Sequence, residues 1–127
     1  MRKEKEMSLV CKTLVLIENS DALKLVAKAF PHPKYELEFV DTAEEANARA
    51  ISGKMDLFIV DSKYADDAKI DSLQSSMPIL FVEPEYVQAA VEEGNTAEES
   101  DRVRSAAEKL LRKNYINWIV DALEYSS

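Results

Sequence analysis

Three short apolar runs, each ended by a carboxylate, constrain this chain more than any other feature. Leu14-Val15-Leu16-Ile17 meets Glu18, Leu57-Phe58-Ile59-Val60 meets Asp61, and Ile79-Leu80-Phe81-Val82 meets Glu83. Such runs are too short for buried helices and show no polar alternation. They therefore read as strands buried on both faces, the mark of a parallel sheet. Open α/β sheets bind ligands at the carboxyl ends of their strands. An acid at the end of each strand predicts one acidic pocket at one sheet edge.

The segments between these strands carry helix signals. Ser20 is placed to cap a helix with Leu23, Val26, Ala27 and Phe30 inward, and Pro31 and Pro33 end it. Tyr35-Glu36-Leu37-Glu38-Phe39 alternates as an edge strand does. Thr42 with Glu45 forms a capping box for a helix turning Ala43, Ala46, Ala50 and Ile51 inward. Gly53 stands where a left-handed helix cap belongs. The polar stretch from Ser62 to Met77 offers only Ala65, Ala68, Ile70 and Leu73 for burial and predicts a short or irregular helix. Pro84 opens a further helix with Val87, Ala90 and Val91 inward, closed by Gly94. Thr96 and Glu99 form a second capping box, and Val103, Ala107, Leu110 and Leu111 continue at helical spacing. A last helical pattern runs through Ile116, Ile119, Val120 and Leu123. The alternation predicts an α/β fold with a doubly wound parallel sheet in strand order 2-1-3-4-5. Only the fifth strand lacks a clear signal.

The 127 residues suit one domain, expected over residues 11–127 behind a short flexible tail over residues 1–10. No apolar run approaches the ~18 residues that cross a bilayer, and the charged N-terminus is followed by no apolar signal segment. The expectation is a cytoplasmic protein with no membrane partner. A net charge of −8 repels phosphate backbones and argues against nucleic acid as a partner. The basic residues Lys109, Arg112 and Lys113 read as a solvated helical face. Cys11 is alone and reads as inert packing, while His32, between two prolines, reads as a loop residue. Tyr115 and Trp118 read as helix-packing residues that would anchor a partner where exposed.

Taken together, these features make the chain resemble the receiver domain of two-component response regulators. Leu16-Ile17-Glu18-Asn19-Ser20 is similar to that family's first strand and the acidic pair after it. Thr42-Ala43-Glu44-Glu45-Ala46 resembles its second helix, and Gly53 through Asp61 resembles its third strand. Lys113-Asn114-Tyr115 is similar to its Lys-Pro-aromatic motif. The likeness is best over Lys12 to Asp61. It implies a flavodoxin-like (βα)5 fold and phosphorelay signalling, with phosphoryl transfer from a histidine kinase or phosphotransfer protein to Asp61. It also implies Mg²⁺ held by Glu18, Asn19, Asp61 and the backbone carbonyl of Lys63. Glu83 and Lys113 would occupy the phosphate-contacting or switch positions. Carboxylate attack on a phosphoryl group needs a divalent cation to offset charge, and a lysine steadies the phosphoryl oxygens.

The chain departs from the family's pattern at several of these positions. Asn19, a neutral and weaker ligand, replaces the acid that touches the metal. Glu83 replaces a hydroxyl and repels an incoming phosphoryl group. Leu110 stands where many members carry a switch aromatic, and the loop from Ser62 to Asp71 lacks the usual Pro and Gly. Glu83 follows Asp61 sooner, and Lys113 follows Glu83 later, than the family's spacing. Lys113 thus reads equally as the site lysine or as a cation on a long C-terminal helix. The expectation is an atypical receiver, not an enzyme, with weak Mg²⁺ binding and weak or no phosphorylation, signalling by contact with a kinase or effector protein. A Glu83–Lys113 ion pair is the expected substitute for the phosphoryl link. The module would stand alone or belong to a longer regulator. The alternative is a small phosphatase or phosphotransferase with Asp61 as nucleophile and Glu83 as acid/base. No Gly-rich phosphate loop supports that alternative.

Overall fold

The computed structural model describes residues 10–126, with side chains to residue 113. Strands β1 (Cys11–Leu16), β2 (Tyr35–Phe39), β3 (Leu57–Asp61) and β4 (Ile79–Val82) are separated by helices α1 (Ser20–Ala29), α2 (Ala43–Ser52) and α3 (Ala68–Asp71). Helices α4 (Pro84–Glu93) and α5 (Thr96–Ser126) follow, and a 3-10 turn, Ser62–Tyr64, leaves β3. The strands form an all-parallel sheet in the order β2-β1-β3-β4. The protein is therefore α/β.

Alternate residues of each strand point to opposite faces, and both faces are covered. On one face Val15, Ile17, Leu57, Ile59 and Val82 pack against Leu25 and Val26 of α1, Val87 of α4, and Val103 and Ala107 of α5. On the other face Leu14, Leu16, Phe58 and Val60 pack against Ala46 of α2, Ile70 of α3, and Leu73 and Met77 beyond it. Each such side chain stabilises the fold by about 1.5–3 kcal/mol on burial. β3, flanked on both sides, is buried along its whole length. β2 lies at the edge, as its alternation implied, and Phe39 there is 53% exposed. Tyr35 ties that edge to α5. Its ring meets Phe30 edge-on at 5.0 Å, and its hydroxyl donates to Glu108 Oε2 at 3.3 Å. Burial, then the adjacent Glu108 carboxylate, push its phenol up to about 12.

The expected fifth strand is not found among the described residues. α5 is one uninterrupted helix, and Val103, Ala107 and Leu111 lay it against the α1 face. Ala106 through Arg112 are strong helix formers, and no Gly or Pro follows Gly94 to break the helix. α4 packs on the same face, so after β4 the chain turns back over the sheet instead of crossing to a further strand.

Several helix ends also differ from the sequence reading. Asn19 rather than Ser20 caps α1, its Oδ1 accepting the Ala22 N–H at 2.9 Å. Val26 and Phe30 are buried and Leu23 packs on the core, as expected; Ala22, Leu25 and Ala29 join them, while Ala27 is exposed. Thr42 does cap α2: its Oγ1 accepts the Glu45 N–H at 3.0 Å, while Glu45 accepts the Asp41 N–H at 3.1 Å. Ile51, expected inward, is 74% exposed because α2 ends just beyond it, past the alanine stripe. Gly53 is extended, at φ −108°, not left-handed. Its small size serves a close approach instead, since a Cβ would lie 3.1 Å from the Arg49 carbonyl oxygen. Gly94 does take the left-handed conformation, at φ 76°. Val91, one turn earlier, faces outward. The second capping box is absent from the described contacts: the Glu99 N–H donates to the Asn95 carbonyl at 3.2 Å, and the Glu99 carboxylate pairs with Arg102. Between β3 and β4 the weak segment forms only the 3-10 turn and the short α3, with Ile70 and Leu73 buried and Ala65 and Ala68 exposed. No helix of the described residues is long and apolar enough to cross a membrane.

Candidate functional site

The register carries the ends of β1, β3 and β4 to one edge of the sheet. Leu16 lies beside Val60, and Asp61 beside Val82. The strand order runs outward in opposite directions from β1 and β3, so the switch point of the sheet falls between them. Asp61 ends its strand at this mouth, and Glu18 and Glu83 follow theirs.

Asp61 ends β3 and is only 5% exposed. Its Oδ1 accepts the N–H of Lys63 at 2.9 Å, which caps the 3-10 turn. The Lys63 ammonium reaches Glu18, with Nζ 2.6 Å from Oε1. The Tyr64 hydroxyl donates to the other Glu18 oxygen at 3.0 Å. Both oxygens of Glu18 are thus engaged. The Lys63 and Tyr64 hydrogen bonds hold the Glu18 carboxyl below its ordinary range. The same Glu18 bond raises the Lys63 ammonium, and the Asp61 charge adds a smaller push in that direction. Partial burial and the bond to Glu18 push the Tyr64 phenol up. Lys63 also sits 5.2 Å from the centroid of the Tyr64 ring, within cation–π range.

The remaining expected site residues are placed differently. Asn19 gives its Oδ1 to the cap of α1. Glu83 is exposed at the start of α4 and makes no side-chain capping bond. Lys113 is exposed on α5, the helical one of its two expected positions. No described ion pair joins it to Glu83. The side chains of Tyr115 and Trp118, and residues 1–9 of the tail expected over residues 1–10, lie outside the described residues. Cys11 is half-buried and burial raises its thiol, while His32 is exposed in the loop after α1. Beside the mouth, Leu23, Phe39 and Val40 with Lys24 and Asp41 frame a shallow groove of about 380 Å³.

Mg²⁺ takes an octahedral set of oxygens from carboxylates, carbonyls and water. The donors at this mouth do not fit a tightly held ion. Glu18 is bound to Lys63 and Tyr64, Asn19 to a helix end, and one Asp61 oxygen to the Lys63 amide. Among the described residues no group of three or more His, Cys, Asp or Glu side chains is arranged to hold a metal. Two participants were missed in the sequence. The sequence assigns a role to the Lys63 carbonyl alone and none to Tyr64. Their signal was a cation and a phenol in the turn directly after Asp61.

Comparison of the chain with protein-family models, curated proteins and solved structures returns no match.

Proposed function

We propose that the chain is an atypical receiver domain of the response-regulator type, a variant of the flavodoxin-like (βα)5 plan with a helix in place of the fifth strand. It takes part in phosphorelay signalling through contact with a histidine kinase, a phosphotransfer protein or an effector. Asp61 holds the phosphoacceptor position, phosphorylation there is weak or absent, and the chain is not itself an enzyme. One observation carries this reading: a buried carboxylate ends the central strand at the switch point of a parallel sheet. Burying a charge is costly, so a carboxylate kept at that position favours a site over a plain turn.

The weak-phosphorylation part of the reading is supported by the surroundings of Asp61. Asn19 is committed to a helix end, and Glu83 presents negative charge where a hydroxyl would receive the phosphoryl group. Lys113 is exposed along α5. The test is incubation with Mg²⁺ and a small acyl-phosphate donor, read by intact mass. Little or no phosphoryl gain is expected. A stoichiometric gain that disappears in Asp61→Asn would overturn the weak-phosphorylation reading. Sustained hydrolysis of a generic phosphomonoester would instead favour the phosphatase alternative.

A further inference from the structure

We propose that Lys63 is the built-in cation of the sheet mouth, bridging Asp61 through its amide and Glu18 through its ammonium so that a divalent ion is kept out. The inference rests on reading this mouth as the functional site and adds how that site is regulated. Asp61 ends β3 and Glu18 follows the adjacent parallel strand β1, so two carboxylates are gathered at one end of the β1–β3 seam, and both favour the charged Lys63 ammonium. Metal-dependent sites of this composition offset such charge with a bound ion. Here the chain supplies the charge itself.

The geometry favours this arrangement. The Lys63 amide is fixed to Asp61 Oδ1 at 2.9 Å, so the root of the side chain cannot drift from the mouth. The ammonium then lies 2.6 Å from Glu18 Oε1, and Tyr64 occupies Oε2 at 3.0 Å. A divalent ion approaching Glu18 must displace both donors and face a positive charge nearby. In water, repulsion between a unit charge and a double charge about 5 Å apart weakens binding by about tenfold. Lys63 and Glu18 are both about half exposed, which makes the exclusion a graded competition and not an absolute block.

The experiment is Mn²⁺ titration of the full chain, read from the free-ion paramagnetic resonance signal, for wild type, Lys63→Ala and Lys63→Ala with Asp61→Asn. Lys63 is exposed, so its truncation leaves the core intact, and circular dichroism verifies this. The expected result is about tenfold tighter Mn²⁺ binding in Lys63→Ala, with the gain lost when Asp61→Asn is added. Equal behaviour of wild type and Lys63→Ala, whether both bind or neither does, overturns the proposal. A gain that survives Asp61→Asn places the ion elsewhere and also overturns it. Phosphodonor labelling is scored separately: strong labelling defeats the weak-phosphorylation reading whatever the Mn²⁺ result, and equal Mn²⁺ binding defeats the built-in cation alone.

Discussion

Replacing Asp61 separates its service as a cap from its service as a charge. Asp61→Asn keeps an oxygen for the Lys63 N–H and removes the charge, whereas Asp61→Ala removes both. The bond measures 2.9 Å and its acceptor is 5% exposed, so water is poorly placed to substitute for it. Capping bonds of this kind contribute about 1 kcal/mol. Asp61→Ala is therefore expected to be about 1 kcal/mol less stable than Asp61→Asn. Asp61→Asn itself should match or slightly exceed wild type, because it removes a buried charge from an acidic mouth. With a urea dependence of about 2 kcal/mol per molar, the midpoints of the two variants should differ by about 0.5 M. Urea unfolding of all three proteins at neutral pH, followed by far-ultraviolet circular dichroism, makes the comparison. Coincident midpoints for the two variants would refute the capping role. An Asp61→Asn midpoint well below wild type would show that the charge, not the oxygen, holds the turn.

Other expectations concern the scaffold. Tyr35 has a phenol pushed up to about 12 by burial and Glu108, so the folded state favours its protonated form. Its contribution should be complete below pH 10 and lost as pH rises toward about 12, and the stability difference between wild type and Tyr35→Phe, measured across that window, should shrink accordingly. Gly94→Ala places a side chain at φ 76° and should cost about 1–2 kcal/mol in thermal unfolding. Ile51→Lys, at a position 74% exposed, should change stability by less than about 0.5 kcal/mol, while Ile59→Ala, at 0%, should lose about 2–5 kcal/mol. Matched urea curves decide that pair, and a large effect at Ile51 would contradict the outward face of α2.

The sheet was legible because its strands admit few alternatives. Leu57 to Val60, an unbroken apolar run between Gly53 and Asp61, suits only a strand covered on both faces, and Tyr35 to Phe39 alternates as an edge must. Helix ends were harder, since Asn19 and Ser20 are comparable caps and adjacent. The face of α1 was nonetheless legible, since Val26 and Phe30 are buried and Leu23 packs on the core, and of the expected residues only Ala27 turns outward. The fifth strand was an expectation carried by the doubly wound order, while the residues from Ala106 to Arg112 favoured helix locally, and the local preference prevailed. At the mouth, the carboxylates could be assigned from their strands alone. The Lys63 and Tyr64 bonds to Glu18 could not, because they depend on the β1–β3 register, which brings residues 46 positions apart into contact.

Because every pairing in the sheet is parallel, no strand is joined to its neighbour by a hairpin. At one end of the β1–β3 seam the Lys12 amide meets Asp56 across 44 positions of chain, and at the other Tyr64 meets Glu18. Loops of that length must close before any of these contacts repays the lost freedom. The acidic edge has no local precursor: a peptide spanning one strand and its turn carries a single acid and lacks the opposing half of the ladder. Spectroscopic or chemical signals from the Glu18 contacts with Lys63 and Tyr64 therefore report the joining of β1 to β3 and not the formation of any single strand.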